Sequence, residues 1–252
     1  DLKRVAEDLG ADCLATGHYV RRIEAAESAE LHRAADASRD QTYFLFATTR
    51  AQLAYLRFPL GDLPKSKVRE LAADLGLRVA EKPDSQDICF VPAGKYQAVV
   101  EKLRPGAIEP GEIVHVDGRV MGRHDGVINF TVGQRRGLGV AMGEPLYVVK
   151  LDSAAKRVIV GPREALGVSR ISLKDVNWIG EAVAAEDDLD GREILVRVRS
   201  TRAPAPARLR VGAGWHVELA TPEEGVAPGQ AAVFYDPGST RVLGGGWIAT
   251  TA

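Results

Sequence analysis

Apolar positions Leu2, Val5, Ala6 and Leu9 recur at helical spacing and stop at Gly10, which predicts a helix at the start of the chain. A lone amphipathic helix of this kind is expected to pack on something upstream, so the chain reads as a fragment. Residues 11–16 predict a short buried strand, which ends in Gly17-His18. Val68, Leu71, Ala72 and Leu75 trace a second amphipathic helix, closed by Gly76 and followed by strand-like residues 77–80. Tyr96, Val99, Val100 and Leu103 predict a third helix, halted at Pro105-Gly106. Helices alternating with short buried strands predict α/β structure with a parallel sheet. The texture then changes to short strands punctuated by Gly111, Gly118, Gly122, Gly126, Gly133, Gly137, Gly139 and Gly143. After about residue 165, period-2 segments at 195–200, 207–211, 215–219 and 231–235 predict a small barrel or sandwich. The expected class is α/β followed by β, with domains over 1–103, 104–165 and 166–252.

Composition narrows this only a little. The 252 residues are 45% hydrophobic and 27% charged, the ordinary balance of a globular protein. Lys plus Arg number 33 against 34 Asp plus Glu, which excludes a globally basic nucleic-acid coat but not a local basic face. No apolar run approaches the roughly 18 residues of a membrane span, so no membrane partner is expected. The two cysteines, Cys13 and Cys89, make neither a disulfide framework nor a four-ligand zinc site, and a reducing, cytoplasmic setting is expected. No metal site is predicted.

Candidate chemistry is concentrated in a few places. Cys89 follows the polar turn Asp84-Ser85-Gln86-Asp87, which either delivers a reactive thiol or ends in a small buried hydrophobe. Cys13 lies in the predicted buried strand, where a thiol is structural. Gly17-His18 follows a strand, the place where open α/β sheets bind ligands and where glycine lets a backbone approach phosphate or adenine. Arg39-Asp40-Gln41 is either a helix start or a polar cluster for substrate. The segment Thr131 to Gly139 sets Gln134, Arg135 and Arg136 among glycines, which suits backbone-mediated phosphate binding or a solvated turn. Residues 191–210 hold six arginines and one acid, Glu193. Arg197 and Arg199 are expected on one strand face, and Arg208 and Arg210 on another, as an RNA-contacting hairpin or a solvated one. No P-loop, HExxH, GxSxG or zinc spacing occurs.

Five strings in order carry a resemblance: Ala-Thr-Gly-His-Tyr at 15–19, Arg-Asp-Gln-Thr-Tyr-Phe-Leu at 39–45, Asp-Ser-Gln-Asp-Ile-Cys-Phe-Val-Pro at 84–92, Phe-Thr-Val-Gly-Gln-Arg-Arg-Gly-Leu-Gly at 130–139, and Ala-Pro-Gly-Gln-Ala-Ala-Val-Phe-Tyr at 227–235. Together they resemble the tRNA-specific 2-thiouridylases, the MnmA/TrmU group, over essentially the whole chain. The resemblance implies the C-terminal part of a PP-loop ATPase-like adenylating α/β domain, a small β-rich central domain and a C-terminal β-barrel. The family's Ser-Gly-Gly-x-Asp-Ser loop and its first catalytic cysteine do not occur here, so the chain alone is expected to be inactive.

The implied reaction is ATP- and Mg2+-dependent 2-thiolation of the wobble uridine, position 34, in tRNAs of the Lys, Glu and Gln type. ATP adenylates the uridine 2-oxygen, and a persulfide on Cys89 supplies the sulfur that displaces AMP. The first cysteine then closes a disulfide with Cys89. The persulfide would come from a donor such as a cysteine desulfurase or a sulfur-relay protein. By the same matching, Gly17 lines the ATP site, while His18, Arg39, Asp40, Gln41, Arg199, Ser200 and Gln230 contact tRNA. Ser200 departs from the aromatic or basic residue usual beside that arginine. The rival readings are another adenylating tRNA thiolase, favoured by zinc-ligand cysteines upstream, and a non-catalytic tRNA-binding module.

Overall fold

The computed structural model describes residues 2–26, 28–78, 108–140 and 143–252. The predicted helix at 96–103 and Cys89 lie outside them. Helix α1 spans Leu2–Asp8, but of its apolar face only Ala6 is buried. Strand β1 is short, Leu14–Ala15. Two strands follow that the hydrophobic pattern did not suggest: β2 (Val20–Glu24) and β3 (Ala29–Arg33), paired as an antiparallel hairpin. Helix α2 (Thr42–Leu45) leads to α3 (Arg50–Tyr55), whose start is a capping box between Thr49 and Gln52. Strand β4 (Leu56–Arg57) pairs in parallel with β1, and α4 covers Lys65–Asp74.

Two expectations need correction here. The strand at 11–16 shrinks to two residues, and Cys13 is exposed, because β1 has only β4 beside it among the described residues. The strand expected from Leu77 does not begin there: Leu77 and Arg78 are irregular, and the next residues are outside those described.

The central region forms one mixed sheet. Strands β5 (Gly111–His115), β6 (Val120–His124), β7 (Tyr147–Asp152) and β8 (Arg157–Gly161) run in the order β6-β5-β8-β7, with β5 and β8 parallel. Ile113, Val127, Leu138, Leu146, Val148, Val158 and Val160 make its core.

The last region is a closed six-stranded barrel, as its period-2 pattern predicts. Its strands are β9 (Gly167–Trp178), β10 (Glu193–Arg197), β11 (Ala205–Arg210), β12 (His216–Glu224), β13 (Ala231–Tyr235) and β14 (Val242–Thr251). Their order is β10-β11-β12-β9-β14-β13. By contact, residues 1–82 group with 169–221 and 228–252 in one compact unit, and 83–168 with 222–227 in another.

Strand β13 explains the first grouping. All five of its residues are buried, where a barrel strand normally alternates. Ala231, Val233 and Tyr235 pack with Val20, Leu31, Tyr43, Phe46 and Leu53 of the N-terminal segment. Ala232 and Phe234 occupy the other face of the pleat. Asn177 of β9 reinforces the join by donating to the Phe46 and Thr48 carbonyls at 2.8 and 3.0 Å.

At Gly244 a Cβ would lie 2.0 Å from the Asn177 carbonyl oxygen, and φ is +135°. Gly212 has a similar φ, +140°, with open space around it. Gly244→Ala is therefore expected to cost about 2–4 kcal/mol, and Gly212→Ala only the backbone part, about 1 kcal/mol. Thermal unfolding of the two variants checks the difference; equal losses would mean that the β14–β9 approach is not tight.

Candidate nucleic-acid interface

Asp40 sits between a 3-10 turn at Ala37–Arg39 and helix α2. Its carboxylate has no exposed surface. Oδ1 accepts from the Thr42 backbone N–H at 3.3 Å, and Oδ2 accepts from Arg33 Nε at 3.3 Å and Arg197 Nη1 at 2.9 Å. Thr42 Oγ1 lies 2.9 Å from both carboxylate oxygens and 3.0 Å from the Tyr235 hydroxyl. Because the carboxylate only accepts, the protons run from Tyr235 to Thr42 to Asp40. Burial pushes the Tyr235 hydroxyl pKa up, which keeps it a neutral donor.

Arg197 spreads the effect further. Its side chain is 10% exposed and, besides Asp40, it donates through Nε to the Arg199 carbonyl at 3.2 Å and through Nη2 to the Ser200 carbonyl. This fixes the chain as it leaves β10. Tyr43, beneath the Arg197 guanidinium at 5.9 Å, donates to the Ala231 carbonyl at 3.1 Å, with Val198 O at 3.3 Å, and so ties β13 to the same place. Gln41 makes a two-point clamp: its N–H donates to the Tyr19 carbonyl at 3.1 Å and its Oε1 accepts from the Tyr19 N–H at 2.8 Å. The Gly17-His18 loop is thereby held beside the 39–41 turn.

The structure brings most of the sequence candidates together around this hub. Gly17, His18 and Arg39 are exposed, while Gln41, Arg199, Ser200 and Gln230 are half-buried. Gln230 Oε1 is buried without a hydrogen-bond partner among the described residues. Loss of water and the nearby Arg202 charge lower the Arg199 pKa. The Asp40 carboxylate is spent inside the protein, where it positions its neighbours, so the part of Asp40 left open to RNA is its partly exposed backbone. Cys89 is outside the described residues.

The expected arginine faces also need correction. Arg197 is buried in the hub and shares no open face with Arg199. Arg208 pairs with Glu193 at 3.0 Å, Arg210 with Glu218 at 2.8 Å and Asp190 at 3.7 Å, and Arg192 with Glu181. Counting charge along 191–210 missed the acids supplied from neighbouring strands and loops. Thr42, Tyr43, Arg197 and Tyr235 were missed as positioning residues; Asp40 and Arg197 are 157 positions apart, and no local pattern links them.

Known families match along nearly the whole chain. Residues 2–93 match the tRNA methyl transferase HUP domain, 98–162 the tRNA methyl transferase PRC-barrel domain and 168–248 the aminomethyltransferase beta-barrel domain. A protein of Hyphomonas neptunium named tRNA-specific 2-thiouridylase MnmA is 64% identical over 251 residues, covering 99% of this chain and 64% of that protein. Proteins of the same name from Maricaulis maris and Parvibaculum lavamentivorans are 62% and 60% identical over 100% of this chain and 62% and 64% of their own lengths. The chain belongs to the tRNA-specific 2-thiouridylase family. It spans just under two thirds of the length of these relatives. The α/β N-terminal part is thus a HUP-type domain, the central sheet a PRC-barrel-type domain, and the closed barrel the family's C-terminal domain.

In this thiouridylase-family chain the hub is testable through stability. Asp40→Ala leaves the Arg197 charge buried without its carboxylate, and the expected cost is about 3–5 kcal/mol. The double variant Asp40→Ala/Arg197→Met is expected to recover more than half of that. Denaturant unfolding measures both; a loss under about 1 kcal/mol for Asp40→Ala would show the pair to be dispensable.

Proposed function

We propose that this chain serves in the 2-thiolation of the wobble uridine of tRNA, with Cys89 as persulfide carrier and the Asp40–Arg197 hub as the scaffold of its tRNA contact surface. The observation that carries the reading is that Arg197, paired with the buried Asp40, holds the Arg199 and Ser200 carbonyls, that Gln41 beside Asp40 clamps Tyr19 next to His18, and that Tyr43 beneath Arg197 bonds the Ala231 carbonyl next to Gln230. A surface set on a rigid network fits recognition of a folded RNA, because little ordering is left to be done on binding. His18, Arg39 and Arg199 offer donors to phosphates or base edges, and Gln41 and Gln230 amide groups. The tRNA substrates would be those for Lys, Glu and Gln, and the sulfur would arrive from a cysteine desulfurase or a sulfur-relay protein.

The nucleotide part rests on Gly17. Among the described residues a Cβ there would meet only Leu60 Cδ1, at 3.6 Å, which fits close approach by a ligand such as adenosine at the carboxyl end of β1. The 252 residues contain no glycine-rich phosphate loop, and the described ones group no three His, Cys, Asp or Glu side chains suited to a metal ion. One wall of a nucleotide site fits; a triphosphate cradle with its Mg2+ does not. When bound, ATP supplies activation of the uridine 2-oxygen as a leaving group. What this chain's own residues contribute is tRNA positioning and the Cys89 thiol, whose terminal persulfide sulfur bonds to uridine C2 as that oxygen departs.

Cys89→Ser in the gene-expressed protein is expected to abolish 2-thiouridine in cellular tRNA. Cys13→Ser should leave it, with little change in stability given its exposure. Equal loss in both would remove Cys89 from its role. Calorimetry with residues 1–252 alone is expected to show no micromolar Mg-ATP binding.

In tRNA titrations across a salt series, Arg199→Gln should weaken binding and flatten the salt slope by roughly one unit. Gln230→Ala should weaken binding at unchanged slope, and Arg208→Gln should do neither, because Glu193 already neutralises it. An effect of Arg208→Gln equal to that of Arg199→Gln would contradict this assignment.

A further inference from the structure

The segment Thr131 to Gly139 is not used by the barrel-side surface, and its geometry is built. Thr131 N–H donates to Gln134 Oε1 at 3.0 Å, and Gln134 Nε2 donates to the Arg136 carbonyl at 2.9 Å, so one side chain clamps both limbs of the turn. The Gly133 N–H donates to the Val148 carbonyl at 2.8 Å, and the Val148 N–H returns a bond to the Gln134 carbonyl at 2.9 Å, which fastens the turn to β7. Leu138 then plunges into the core of the sheet, 5% exposed. Gly137 and Gly139 on either side of it have φ of +73° and +72°, a conformation that the reversal into and out of the core requires.

Between the clamp and the Leu138 anchor, Arg135 and Arg136 are exposed. Among the described residues neither guanidinium has a carboxylate, hydrogen-bond or ring partner. Their neighbours in the same unit are treated differently. Arg119 pairs with Asp117 at 2.7 Å, Arg157 with Glu112 at 3.4 Å, Arg163 with Glu224 at 2.9 Å and Lys156 with Glu109. The N–H groups of Thr131, Gly133 and Gln134 are all spent inside the fold, which rules out a phosphate nest made from them. Ligand binding here would fall to the two side chains.

We propose that the Arg135–Arg136 turn is a second RNA-binding element, gripping the phosphodiester backbone of tRNA independently of base sequence. It rests on the reading that the chain binds tRNA. Two adjacent exposed arginines on a clamped turn offer two guanidinium groups to separate phosphates of one polyanion. The backbone beneath them is already ordered, so only the side-chain rotamers remain to be fixed on binding. Arginine suits the task because its planar fork matches phosphate oxygens, and each contact releases condensed counterions.

The experiment is a tRNA titration of the 252-residue chain over a salt series, with Arg135→Gln/Arg136→Gln, each single Gln variant, and Arg135→Lys/Arg136→Lys. The double Gln variant is expected to lose about tenfold or more in affinity at moderate salt, alike for cognate and non-cognate tRNA. Its salt slope should flatten by roughly one to two units, each single variant giving about half of that. The Lys pair should keep most of the slope, and melting temperatures should not move, since among the described residues neither guanidinium has an ion-pair, hydrogen-bond or ring partner. An unchanged slope and affinity in the Gln variants, with Arg199→Gln still flattening it, would overturn this element alone. A loss confined to cognate tRNA would overturn the backbone assignment. Failure of the unaltered chain to bind tRNA would overturn both this element and the function it rests on.

Discussion

One buried carboxylate organises the larger unit. Asp40 gathers Arg33, Thr42 and, through Thr42, Tyr235, and it draws Arg197 inward from the barrel. Burying a guanidinium and a carboxylate together gains little net stability over an apolar pair, because both must shed water. What the pair does gain is definition. Each of its hydrogen bonds has a direction, so the loop at 199–200, the turn at 39–41 and strand β13 have one mutual arrangement rather than several. An apolar contact of the same volume would hold them together without fixing their angles.

How much of this was readable beforehand follows from the range of the interactions. The barrel strands announce themselves by alternation, since barrel interior and exterior impose period 2 on each strand locally. The central sheet was visible in its glycines. The β2–β3 hairpin was not: its connection holds Ala25, Ala26, Glu27 and Ser28, without the Asn-Gly or Asp-Gly signal that marks a tight turn. Cys13 looked buried because an apolar neighbourhood ordinarily means a central strand, and here it lies just before a two-residue strand that has a single neighbour among the described residues. The motif residues at 39–41 were found, yet the division of labour within them was not. Nothing in Arg-Asp-Gln says that the aspartate faces inward while the arginine faces water.

The same reasoning separates composition from electrostatics. A run of twenty residues with six arginines reads as a basic surface, but cross-strand and loop carboxylates neutralise four of them. The shorter Arg135–Arg136 pair, unremarkable by count, keeps its field because no described acid faces it. A surface potential is a property of neighbours in space, and strand pairing decides who the neighbours are.

Strand β13, covered on both faces, has a consequence for how the molecule comes into being. Tyr43 and Thr42 wait for partners 188 and 193 positions further along. During synthesis the N-terminal segment emerges long before the strand that will complete its core. Contacts of such sequence separation close slowly, and until they do Val20, Leu31, Phe46 and Leu53 need other shelter. The last barrel strands thus act as a latch: only when they are made is the apolar surface of the N-terminal segment covered.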